Sequence, residues 1–193
     1  MQIRLFFLPL LACLSTQPSQ ADTGLEATFW GKAAGFAGVP TSVLYGIAVQ
    51  ESGMRWEDGT FRPWPWTLNL NSSARLPGKK GKLVFVKAGQ RRFRTREETE
   101  AALSALVRQG FSNVDVGLMQ VNLRWHRQRV SNPLQLLDPK QNLVVAAVIL
   151  RENGGRAESL MAAVGQYHSM QPERGRRYSG RVLAYAEAMD RAD

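Results

Sequence analysis

In the stretch LYGIAVQESGM, residues 44 to 54, Leu44, Ile47 and Ala48 recur at helical spacing and mark one apolar stripe. The next position on that stripe is Glu51. A carboxylate on the buried side of a helix costs free energy unless it is paired or protonated. Two local effects favour protonation. Desolvation raises the proton affinity of a carboxyl group, and the partial negative charge of a helix C-terminus acts in the same direction on an acid in the last turn. Any fold of this chain must therefore give Glu51 either a cation, Arg55 being the nearest one turn on, or a setting that keeps it neutral. A carboxylic acid held neutral near pH 7 is what general acid catalysis requires.

The 193 residues suffice for one domain with a real core. A hydrophobic content of 44% excludes a disordered polar chain. The first 21 residues read as a removable export signal: Arg4, the apolar run LFFLPLLACL, then SQA ending at Ala21. That run is too short to span a bilayer as a permanent helix, and no membrane-spanning helix is expected after Ala21. LLAC also resembles a lipoprotein processing site, with attachment at Cys13. Cleavage after Ala21 removes Cys13, the only cysteine, so residues 22–193 would hold together by packing without disulfides. The expected location is outside the cytoplasm, in the periplasm.

The formal net charge is +9, but residues 75 to 96, RLPGKKGKLVFVKAGQRRFRTR, carry nine basic residues and no acid. The remainder is close to neutral. The basicity is one local patch, which suits an anionic surface or polymer.

Helices are expected over GLEATFWGKAAGFAG, with Phe29, Ala33 and Phe36 as one face and Gly38 as its end, and over VPTSVLYGIAVQES, with Pro40 in the first turn and Gly53 as the stop. PWTLNL, KLVFVKA and QRRFR read as two or three antiparallel strands, a small β lobe at about 60–96. TREETEAALSALVRQG is a helix with a Thr95–Glu98 capping box and Gly110 at its end. DVGLMQVNLRWH starts irregularly. DPKQNLVVAAVILRENGG is the strongest helix, and RAESLMAAVGQYHS and RRYSGRVLAYAEAMDRA complete a mostly helical chain.

Three short segments then fall in order: IAVQESG with Glu51-Ser52, VGLMQVN with Gly117-Leu118-Met119-Gln120, and AVGQYHS with Tyr167. Together with Asp138-Pro139 and Asn142, this order resembles the catalytic domain of family 1 (SLT-type) lytic transglycosylases over roughly residues 25 to 190. The family pattern is Glu-Ser at a helix end, then Gly-Leu-Met-Gln, then Ala-Tyr-Asn. Here His168 stands in place of the Asn. About 65 residues separate Glu51 from Gly117, an arrangement similar to the transglycosylases encoded with conjugation and type IV secretion systems.

The resemblance implies an α+β, mainly α, lysozyme-like fold with a small antiparallel β lobe. It implies cleavage of the bond between N-acetylmuramic acid and N-acetylglucosamine in peptidoglycan, with formation of a 1,6-anhydro product. Glu51 would serve as acid and then base. Ser52 would orient Glu51 or a sugar substituent, Met119 would pack in the cleft, Gln120 would bind substrate, and Tyr167 would hold the glutamate by its hydroxyl. No cofactor is implied; the partners are glycan strands and the proteins of a secretion or conjugation apparatus.

Other residues bear on the same chemistry. In RPWPWTLN, Trp66 offers an indole face for a sugar ring or a plug between lobes, and Asn69 is a candidate for the cleft. Glu57 and Asp58 in the polar loop RWEDGT read as solvated carboxylates, and Asp115 reads as a second acid or a turn cap. A hydrolytic muramidase would need such a second acid for water. A wall-binding assembly factor would need no acid at all. The basic segment with Phe85 and Phe93 could contact nucleic acid, but export and the near-neutral remainder argue against that partner. Two distant histidines and no cysteine cluster give little basis for a metal site, and LPGKKGK lacks the spacing of a phosphate-binding loop.

Overall fold

The computed structural model describes residues 24–77 and 83–191. Residues 1–21, expected above to be an export signal, with Cys13 among them, and Lys79, Lys80 and Lys82 of the basic segment lie outside the described residues.

Helix α1 (Phe29–Ala37) starts where the Thr28 hydroxyl accepts from the Trp30 amide, and ends at Gly38, whose φ of 73° is left-handed. It does not bury the expected face. Ala33, Ala34 and Ala37 are buried, while Phe29 and Phe36 are 36% and 48% exposed. The small alanines let α1 lie close on α5 (Pro139–Gly154), and the Phe36 ring instead takes the Arg151 guanidinium 4.8 Å over it.

Helix α2 (Thr41–Ser52) buries Leu44, Ile47 and Ala48 completely, as their spacing predicts. Pro40 precedes the first helical residue instead of entering the first turn. Gly53 turns the chain directly into strand β1 (Gly53–Arg55) with φ −55°, so it is no left-handed stop. It is glycine for lack of space: a Cβ there would collide with the Val49 carbonyl and the Phe61 ring.

The middle of the chain holds more strands than the two or three expected. β1 pairs with β2 (Phe61–Pro63), and β4 (Ala74–Pro77) pairs with β5 (Leu83–Val86). β3 (Thr67–Leu70), β6 (Gly89–Arg92), β7 (Val114–Val116) and β8 (Val121–Asn122) form one antiparallel sheet in the order β6-β3-β7-β8. Strands of two to four residues carry too little alternation to be read from sequence. Strands β3 and β6 of the expected lobe at 60–96 share a sheet with the strands flanking Gly117–Gln120.

Register in that sheet decides which side chains face the cleft. Leu68 lies opposite Val116, Asn69 opposite Asp115, and Leu70 opposite Val114. The four apolar members are buried; the polar pair between them points to the other face.

Helices α3 (Arg96–Arg108) and α4 (Leu123–His126) flank the sheet, and α6 (Leu160–His168) and α7 (Pro172–Asp190) close the domain. The Thr95 hydroxyl accepts from the Glu98 amide at 3.2 Å, as the capping sequence predicts. Asp138 caps α5 by accepting from the Gln141 amide at 2.9 Å. α5 packs between α1 and α6, and α7 packs between α2 and α6. The result is a mixed, mainly helical α+β fold. Among the described residues, no single helix is long and apolar enough to cross a membrane.

Candidate active site

The last turn of α2 points its backbone carbonyls out of the helix, where nothing in the helix can satisfy them. The intervening segment 60–96 supplies the donors. The Gln90 amide donates to the Glu51 carbonyl at 2.9 Å, the Trp64 N–H to the Ser52 carbonyl at 3.1 Å, and the Arg92 guanidinium to the Gly53 carbonyl at 2.8 Å. The helix end that carries Glu51 is thereby tied to the sheet.

Residues 117–120 form the tight turn between β7 and β8. Gly117 has φ 80° and Gln120 has φ 47°, both left-handed. The turn is pinned from behind by Asn142, which is fully buried in α5. Its side chain accepts from the Met119 amide at 2.7 Å and donates to the Val116 and Leu136 carbonyls at 2.8 Å each. The Ser52 hydroxyl donates to the Leu118 carbonyl at 2.7 Å and joins the turn to α2.

These elements enclose a cleft of about 410 Å³. Glu51, Asn69, Gln120 and Tyr167 line it, as four of the seven residues singled out in the sequence should. The other three do not. Ser52 and Met119 are fully buried behind the turn, so they support the cleft and do not face it. Trp66 belongs to a ladder of edge-on indoles with Trp64 and Trp56, centroids 5.0 and 4.9 Å apart, away from the cleft. The Trp64 indole N–H donates to the Phe93 carbonyl at 2.8 Å, which ties this ladder to the chain just after β6.

The phenol that holds the glutamate is also not the expected one. Tyr167 donates its hydroxyl to the Met119 carbonyl at 2.8 Å. Tyr178, buried on α7, donates to Glu51 Oε1 at 2.6 Å. Burial and the neighbouring Glu51 raise the proton affinity of both phenols well above the ordinary value, so each remains a hydrogen-bond donor.

Burial likewise pushes Glu51 from an ordinary 4.5 up to about 7; the Tyr178 hydrogen bond opposes the rise, Asp115 adds to it, and Arg181 opposes it more weakly. Arg55 does not neutralise Glu51. It donates to the Gly59 carbonyl at 2.8 Å, and among the described residues no basic side chain forms an ion pair with Glu51. Asp58 is tied up with Thr60 and Arg62 in its exposed loop.

Asp115 is the second carboxylate in the cleft. Three amides donate to it: Asn69 and Asn71 at 2.9 Å and Asn122 at 2.6 Å. Among the described residues it has no cationic partner. Asn71, Gln90, Asn113 and Asn122 extend the polar lining, and Trp125, 63% exposed, forms part of the rim. Amides that donate and accept, with an exposed indole beside them, match the hydroxyls and flat faces of a sugar chain. The sequence reading missed these residues. Trp125 lies just beyond the GLMQ segment and could have been found by proximity. Tyr178 could not, because a buried tyrosine on an amphipathic helix reads as core.

Compared with known proteins, the chain matches no family model, no curated protein and no solved structure.

Proposed function

We propose that this chain is an exported lytic transglycosylase of lysozyme-like fold that cuts the β-1,4 bond between N-acetylmuramic acid and N-acetylglucosamine in peptidoglycan. The observation that carries the reading is Glu51: a carboxyl group at a helix end, with no ion-pair partner among the described residues and a pKa raised to about 7, facing a cleft lined by amides. Such a group delivers a proton near neutral pH and accepts one back.

In the reaction, Glu51 protonates the glycosidic oxygen as the bond to C1 of the muramic acid breaks. The sugar develops oxocarbenium character. The muramic acid 6-hydroxyl attacks C1, and its proton passes to the Glu51 carboxylate. One C–O bond breaks and one forms, no water enters, and Glu51 ends protonated as it began. Trp125 and the amides of Asn69, Asn71 and Asn122 supply the glycan track, while the Gln120 amide donates to the Thr67 and Gly117 carbonyls and fixes the turn behind it. The spacing between Glu51 and Gly117, together with the export signal, supports local wall opening for a secretion or conjugation apparatus.

Asp115 favours a second reading, hydrolysis by the same fold, because a carboxylate across the cleft could activate water. Mass spectrometry of products from purified wall glycan decides between them. 1,6-Anhydromuramic ends support the transglycosylase, reducing ends alone convert the answer to a muramidase, and intact glycan points to a wall-binding scaffold.

A further inference from the structure

Helices α6 and α7 touch backbone to backbone where Gly165 meets Gly175: a Cβ on Gly165 would lie 2.9 Å from the Gly175 carbonyl and 3.0 Å from its Cα. Only hydrogen fits between the helices there. Three residues further along each helix stand His168 and Tyr178. Their rings are stacked, with centroids 4.7 Å apart and planes within 2° of parallel. The Tyr178 hydroxyl is the one that reaches Glu51 at 2.6 Å. His168 is the last residue of α6, exposed and on the cleft wall. A swing of the Tyr178 side chain about its first torsion would carry the hydroxyl off Glu51, and a flat group packed against the ring face blocks that swing.

We propose that His168 is a positioning residue that acts through Tyr178: the stacked imidazole holds the phenol so that its hydroxyl stays on Glu51. The proposal rests on the reading of Glu51 as the general acid, and it requires no bond between the imidazole and the sugar. The glycine contact sets the spacing of the two helices, the stack uses that spacing, and the hydrogen bond follows from it.

The charged neighbours are consistent with a neutral stack. His168 is pushed below its ordinary proton affinity by partial desolvation first, then by Arg181 and more weakly by Arg174 of α7, while Asp115 of β7 opposes them. Glu51 is faced by Tyr178 and Arg181 of α7, by Asp115 of β7 and by Tyr167 of α6. Of these only Tyr178 is in the stack.

The test is a carbon-13 titration of the Glu51 carboxyl in the wild-type protein, His168→Ala and His168→Phe, with kcat and KM on purified glycan measured alongside. In His168→Ala the Glu51 midpoint rises by about half a unit, because a donor that favours the ionised form is loosened. The same variant loses about tenfold in kcat with KM changed less than about twofold. His168→Phe keeps the flat face and restores both quantities to near wild type. An unchanged or lowered midpoint in His168→Ala overturns the proposal, and so does a His168→Phe variant as impaired as alanine, since the ring nitrogens would then be the active part. If the wild-type protein leaves glycan uncut, the functional reading falls by itself, and the titration still decides whether His168 controls the Tyr178 contact.

Discussion

The Tyr178 hydroxyl donates to Glu51 Oε1 at 2.6 Å across 127 positions of sequence. A donor on the carboxylate favours its ionised form, so this bond restrains a proton affinity that burial drives upward. Removing it in Tyr178→Phe should raise the Glu51 midpoint by roughly half to one unit. The alkaline limb of the pH–rate profile should move to higher pH by the same amount, with a lower plateau. A limb that moves to lower pH would contradict the assigned hydrogen bond.

Activity itself should fall as pH rises through about 7, the value to which Glu51 is raised. The sign follows from the role: the acid must be protonated to act. Asp115→Asn should shift that limb to lower pH, since the Asp115 charge raises the Glu51 proton affinity. It should also cut activity about tenfold or more by loosening the three amides that donate to Asp115. A pH–rate series on solubilised glycan measures both effects.

Glu51→Gln should abolish most activity, at least ~100-fold, yet stabilise the protein at alkaline pH. Folding raises the Glu51 value from 4.5 to about 7, so the folded state favours the protonated form. That contribution is fully present below about 4.5 and is lost as pH rises through about 7. Wild-type protein therefore carries a penalty above that range which the glutamine variant lacks. The expected gain is on the order of 2–3 kcal/mol at pH 8 and close to zero at pH 4.5. Urea denaturation at the two pH values checks it; equal gains at both would rule out a proton-linked origin.

Gly117→Ala should destabilise the protein by about 2–4 kcal/mol. Its φ is +80°, and a Cβ would lie 2.5 Å from the Leu136 carbonyl and 2.6 Å from the Asn142 amide nitrogen. Both neighbours are held in the hydrogen-bonded support of the turn, so neither can give way cheaply. Thermal melts of Gly117→Ala and of Gly59→Ala make the comparison: Gly59 also has positive φ, at +81°, but open space around it, and should lose less.

Trp125→Ala tests the glycan track. The side chain is 63% exposed, so stability should change by less than about 0.5 kcal/mol. KM for glycan oligomers should rise roughly 2- to 10-fold with kcat nearly unchanged. A loss confined to kcat would remove Trp125 from the track and give it another role.

What the sequence determined by itself was local. The apolar spacing of Leu44, Ile47 and Ala48 dictated a buried helix, and the acid at the next stripe position singled out Glu51 before any contact was known. Thr95 and Asp138 marked helix starts, because a cap acts within three residues. The residues that complete the site were decided by tertiary structure. Asn69 and Asp115 meet only through the β3–β7 register, and β7 is too short to announce its pairing. Trp66 reads in isolation as either a sugar platform or a plug between lobes, and only the fold shows it packed edge-on against Trp64. Tyr178 takes the role expected of Tyr167, because the crossing of α6 and α7 aims the Tyr167 hydroxyl at the turn and the Tyr178 hydroxyl at the acid. Propensity and periodicity act over one or two turns of chain. The direction in which a phenol points depends on how two helices pack, which is settled only when the whole core forms.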